Sequence, residues 1–145
     1  MPRTIESLTL VDAKRMIAAA ETAADALGIP YNVAIVDAGG HLTAFSRQDG
    51  ALIGSIDLAI NKAYTARLFD TPTLALAALA QPSAPLYGIQ QSNRGNVVVV
   101  GGGIPVWRNG VIIGAIGTSA GTVEQDVTVA DAALQSFEPA VPLDE

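Results

Sequence analysis

The chain has 145 residues, half of them hydrophobic and 15% charged, a composition that fits one folded domain over residues 1–145 and not a disordered segment. Fourteen acidic residues against eight basic ones give a formal charge of −6, which excludes a phosphate-tracking surface, so no nucleic-acid partner is expected. With no cysteine and one histidine, disulfides, thiol catalysis, Cys-ligated zinc and multi-His metal sites are also excluded. Met1 to Glu6 carry no basic stretch leading into an apolar core, and the apolar runs are short and broken by glycine. No membrane segment and a cytoplasmic location are therefore expected.

The first periodic segment runs from about Leu8 to Leu27. Leu10, Ala13, Ile17, Ala20, Ala24 and Leu27 recur at spacings of three and four and predict one apolar helical stripe. Thr9 with Asp12 forms a capping box, and Gly28 and Pro30 stop the helix. Tyr31–Asp37 reads as a strand, Ala38-Gly39-Gly40 as a turn and Leu42–Arg47 as the hairpin partner. Leu52–Phe69 predicts a second helix with Ile53, Ile56, Ala59, Ile60, Ala63 and Tyr64 on its apolar face.

A short helix is expected over Leu74–Leu79. Ser83–Asn96 is polar and irregular, too long for an ordinary connection, and fits a binding loop, an interface or short helical turns. Val97–Val100 is either a buried strand or part of a loop. Two strand-like runs, Ile104–Arg108 and Val111–Gly117, flank Asn109-Gly110, a strong hairpin signal because both turn positions require positive φ. Thr122 caps a last helix with Gln125 three residues on, and Pro139 and Pro142 end it before a frayed Leu143–Glu145 tail. Hairpins interleaved with helices predict an α+β fold, an antiparallel sheet with helices packed on it.

Asp37-Ala38-Gly39-Gly40-His41-Leu42, Arg47–Ala51, Lys62–Ala66, Gly101–Val106, Gly114–Ser119 and Glu124-Gln125-Asp126 occur in an order and spacing that resembles the GlcG/HbpS-like family across nearly the whole chain. One departure is Val127, where the family usually has an acidic residue after the aspartate. The resemblance implies a profilin-like α+β fold, a homo-oligomer (often an octamer) and a small-molecule ligand, haem being a recurring theme. It also points to a polar set lining the site: Asp37, His41, Arg47, Ser55, Lys62, Glu124, Gln125 and Asp126.

Each of these residues has a bland reading beside the functional one. His41 can ligate haem iron, making it the metal ligand if haem is bound, or it can be a solvated turn histidine. Asp37 can orient a ligand or accept backbone N–H groups in an Asx-type turn. Arg47 can clamp a carboxylate, a haem propionate included, or pair with Asp49, Asp37 or Asp126. Lys62 lies on the Ser55 side of its helix and can line a pocket or snorkel at the surface.

Gly101–Gly103 lacks the Lys-Ser/Thr of a phosphate loop and reads as a flexible connection. Thr118 and Ser119 can offer hydroxyls to an anion at the last helix's N-terminus, and Glu124 and Asp126 suit the dipole of its first turn. Trp107, next to Arg108, and Tyr87 can be interface anchors or pocket walls. Three functions follow: a homo-oligomeric binding domain for haem or a carboxylated ligand; a cofactor-independent lyase, isomerase or hydrolase acting on a small carboxylate, with Lys62, Asp126 and Glu124 as catalytic groups; and a non-catalytic accessory subunit.

Overall fold

The computed structural model describes residues 1–137, so the expected end of the last helix at Pro139 and the tail lie outside the described residues. Helix α1 (Leu10–Leu27) begins at the expected capping box: the Asp12 N–H donates to the Thr9 hydroxyl at 3.1 Å, and the Thr9 N–H donates to the Asp12 carboxylate at 3.0 Å. The bond from the Thr9 backbone holds the Asp12 carboxyl below its ordinary range. This cap therefore stabilises the fold above the unfolded carboxyl's pKa, and that contribution is lost as pH falls through the lower, folded value.

Strands β1 (Asn32–Asp37) and β2 (Leu42–Arg47) form the first hairpin. Helices α2 (Gly54–Phe69) and α3 (Thr73–Leu79) follow. The irregular segment then contains a 3₁₀ turn at Ile89–Gln91 and a distorted turn at Ser92–Gly95, in which Asn93 and Arg94 take left-handed φ of 53° and 59°. Val97–Val100 is a loop; its Val98 N–H donates to the Thr65 hydroxyl at 2.9 Å. Strands β3 (Gly103–Arg108) and β4 (Val111–Ser119) meet at Asn109-Gly110, where φ is 51° and 79°, as the dipeptide predicts. Helix α4 (Val123–Phe137) closes the described chain.

The sheet order is β2-β1-β4-β3, antiparallel throughout. Both hairpin turns lie at one end of it. At the other end Arg47, Asn32 and Ser119 stand side by side on neighbouring strands. Side chains on β1 alternate between the two faces. Val33 and Ile35 pack with α1 and α4, through Met16, Ile17, Val129 and Ala133, while Ala34 and Val36 pack with α2. Among the described residues no helix is long and apolar enough to cross a membrane.

Two expected apolar faces are corrected. In α1, Leu10 and Leu27 are exposed, and Met16 fills the core with Leu8, which lies before the helix and donates its N–H to the Ile113 carbonyl at 2.9 Å. In α2, Ile53 is exposed, while Ser55, Ala59, Lys62, Ala63, Thr65 and Ala66 are buried. The cause is proximity. A Cβ at Gly117 would collide with the Ala59 carbonyl, and one at Gly103 with the Lys62 carbonyl. Backbone this close to backbone leaves room for methyl groups, so the isoleucines are displaced to the flanks.

Gly117→Ala should cost about 2 kcal/mol of unfolding free energy in urea denaturation, because α2 cannot retreat without opening its alanine seam. Gly54→Ala, at a position with open space around the Cβ, should stay within about 0.5 kcal/mol.

Candidate functional site

At the Asn32 end of the sheet, α2 sends Lys62 across to the opposite layer. Its ammonium donates to Asp126 Oδ2 on α4 at 2.7 Å and to the Thr118 carbonyl at 3.0 Å. The other carboxylate oxygen, Oδ1, accepts the Tyr31 hydroxyl at 2.8 Å, the Gly121 N–H at 2.9 Å and the Ala120 N–H at 3.2 Å. The Thr118 hydroxyl donates to the Asp126 carbonyl at 2.6 Å. Lys62, Tyr31 and Asp126 are 1%, 0% and 3% exposed. A buried pair of this kind persists because hydrogen bonds satisfy the remaining lone pairs and protons.

The glycine run before β3 opens the route for the lysine. A Cβ at Gly102, whose φ is 127°, would stand 3.0 Å from Lys62 Nζ and 2.6 Å from the Thr118 carbonyl. Gly102 and Gly103 thus leave a gap for Lys62 and are not merely a flexible connection. Burial first, and then the bond to Asp126, push the Tyr31 hydroxyl well above the ordinary tyrosine range.

The remaining candidates are dispersed. Thr118 is committed to Asp126 and offers nothing to an anion. Gln125 forms the α4 cap, its Oε1 accepting the Thr122 N–H at 2.9 Å and its own N–H donating to the Thr122 hydroxyl at 3.2 Å. Glu124 is exposed and, among the described residues, pairs with neither Lys62 nor Arg47. The expected charged constellation thus contracts to Lys62 and Asp126. Arg47, on edge strand β2, donates its Nε to the Ala51 carbonyl at 3.4 Å and borders a shallow hollow with Asp25 and Asp49. Ser55 and Ser119 are buried at the same end of the sheet.

Asp37 and His41 sit at the opposite, hairpin end. Asp37 Oδ1 accepts the Gly39 N–H at 2.9 Å and the His41 N–H at 3.0 Å, which shapes the turn. The His41 side chain is 83% exposed, with Nδ1 3.6 Å from Asp37 Oδ1. Beside that turn runs an open groove of about 710 Å³, lined by Arg3, Gly39, Arg67, Asp70 and Trp107 among others. Arg67 donates to the Ala38 carbonyl at 2.6 Å and pairs with Asp70. Among the described residues no group of three or more His, Asp and Glu could hold a metal ion.

Sequence reasoning missed Tyr31, Arg3 and Arg67. A tyrosine heading an aliphatic strand carries a signal, since a buried hydroxyl requires a partner. The two arginines carry none, because the chain brings them together from segments more than sixty residues apart.

A family model described as haem degrading protein HbpS-like matches residues 8–135. The chain belongs to the HbpS-like family. It is 43% identical over 133 residues to an uncharacterized 15.0 kDa protein of the dhaT-dhaS intergenic region of Citrobacter freundii, covering 92% of this chain and 94% of that one. It is 40% identical over 131 residues to the corrinoid adenosyltransferase PduO of the same organism, covering 90% of this chain but 39% of the relative. Among solved structures, Klebsiella pneumoniae protein ORFY superposes with a TM-score of 0.92 at 37% identity, covering 94% of both chains. A PduOC–heme complex superposes with a TM-score of 0.87 at 40% identity, covering 91% of this chain and 95% of that one. These likenesses agree with the α+β architecture and the family that the sequence motifs imply.

Lys62→Met leaves the Asp126 carboxylate buried without its cation and should cost about 3–5 kcal/mol in denaturant unfolding. The Tyr31 proton is retained by the folded chain but lost by the unfolded chain near about pH 10. Its contribution to stability is therefore complete below that pH and declines above it. Tyr31→Phe should flatten the alkaline limb of a stability–pH curve; an unchanged limb would show that another group sets it.

Proposed function

We propose that this HbpS-like chain is a ligand-binding domain that takes haem, or a haem-sized carboxylated molecule, in the groove at the hairpin end, as one subunit of a homo-oligomer. The carrying observation is the groove itself: it is within the size range of small-molecule pockets and has the Arg3 and Arg67 guanidinium groups and the Trp107 indole on its walls. His41 lies on the adjoining turn with its ring in solvent. The haem in the family's description and in the PduOC complex supports the choice of ligand.

The residues fit such a ligand. Arg3 makes no ion pair among the described residues, so its guanidinium is available to a propionate. Trp107, 54% exposed on edge strand β3, offers a flat apolar wall. Asp37 holds the turn through two backbone N–H groups and so fixes where His41 starts, leaving the imidazole as the candidate iron ligand. Bound haem would supply an iron centre for redox or gas-ligand chemistry. The groove is open along one side, and a second copy of the chain would close it.

In this reading Lys62 and Asp126 hold the layers together. As an acid–base pair acting on a small carboxylate they would have to meet a substrate, yet they are bonded to each other and closed off from solvent. The adenosyltransferase activity named for PduO is that of a longer protein, of which this chain spans about two fifths.

Titration with haem should produce a Soret band at one haem per subunit or per subunit interface, and native mass spectrometry should show an oligomer that retains it. His41→Ala should shift the band and weaken binding at least tenfold. An identical spectrum and affinity in the variant would remove His41 as the ligand, and no band in the wild type would overturn the haem reading.

A further inference from the structure

The Asn32 end of the sheet contains a second constellation, on the α2 face and separate from the groove. Asn32 is 0% exposed. Its Nδ2 donates to the Leu52 carbonyl at 3.0 Å, while its Oδ1 is buried with no hydrogen-bond partner. Buried side-chain oxygens are nearly always satisfied, so an orphan points to a missing partner. That partner has to be a donor, because an amide oxygen only accepts.

Four more polar residues lie at that end of the sheet. Ser119 and Arg47 sit directly opposite Asn32 on the flanking strands, so all three side chains share one face of the sheet. Ser55 donates its N–H to the same Leu52 carbonyl at 3.1 Å. Arg47 Nε reaches the adjacent Ala51 carbonyl. Ser55 and Ser119 are 7% and 4% exposed. Lys62, two turns along α2 from Ser55, is committed to Asp126 and adds no free charge here. Asp57, the acid in the first turn of α2, is engaged by Asn61 at 3.2 Å.

We infer that Asn32, Ser55, Ser119 and Arg47 form a binding site for a small carboxylate bearing a hydroxyl or amino group beside it. The ligand's donor would satisfy Asn32 Oδ1, and its carboxylate would lie between the Arg47 guanidinium and the two serine hydroxyls. Arg47 is exposed and forms no ion pair among the described residues, so its outer nitrogens are free for a carboxylate. This site does not depend on the haem reading, since it shares no residue with the groove.

The test uses three probes with one carbon skeleton, lactate, alanine and propanoate, each titrated into the full chain by isothermal calorimetry with amide chemical shifts as a second readout. Lactate or alanine should bind about tenfold more tightly than propanoate, the worth of one satisfied buried acceptor, and should move the Asn32 side-chain amide signal. Whichever of the two binds identifies the donor. Arg47→Gln, at an exposed position, should fold normally and weaken binding at least tenfold, as should Ser55→Ala to a lesser degree. Equal affinity for all three probes, no binding by any of them, or full affinity in Arg47→Gln would each overturn the inference and leave Asn32 to a trapped water.

Discussion

A lysine ammonium closed off from water is tolerable only if a carboxylate meets it, and in this fold that demand organises both layers of helices. Lys62 belongs to the helix on one face of the sheet and Asp126 to a helix on the other. Their 2.7 Å contact passes the end of the sheet through a gap that Gly102 and Gly103 leave open. Tyr31 and two backbone N–H groups complete the carboxylate's hydrogen bonding. Such a pair adds little net stability over an apolar replacement, but it is costly to break. Its effect here is geometric, since it fixes how α2 and α4 register against each other through the sheet.

That fixed frame separates two ends with different chemistry. The hairpin end has its polar groups in solvent or along an open groove, with His41, Arg3 and Trp107 unencumbered. At the other end polar groups are enclosed, and most are paired within the fold. Asn32 Oδ1 departs from that rule, one of two buried side-chain oxygens, with Gln90 Oε1, that lack a partner among the described residues. A scaffold that satisfies Asp126 four times over while leaving a neighbouring acceptor without a donor is not short of donors in general. The contrast is what gives the orphan atom its meaning.

The sequence was most informative where structure is local. Thr9 with Asp12, Asn109-Gly110 and Thr122 with Gln125 each specify a cap or turn within four residues, and each appears as read. The apolar face of α2 was misread because its burial depends on Gly103 and Gly117, which lie far along the chain and admit only methyl groups. Lys62 reads as a surface lysine until Gly102 and Asp126 are placed beside it. The motif residues looked like one site because they cluster in sequence blocks, yet the antiparallel sheet places the Asp37 and Arg47 ends of a single hairpin at opposite poles.

The separation of Lys62 and Asp126 along the chain, 64 residues, also sets an order of events during synthesis. A ribosome releases α2 and the whole sheet before it releases the carboxylate that compensates the lysine. Until α4 emerges, closing the alanine seam would strand a bare ammonium in the interior, so the early chain gains little by compacting fully. A product truncated before α4 would retain a lysine without the carboxylate that compensates it.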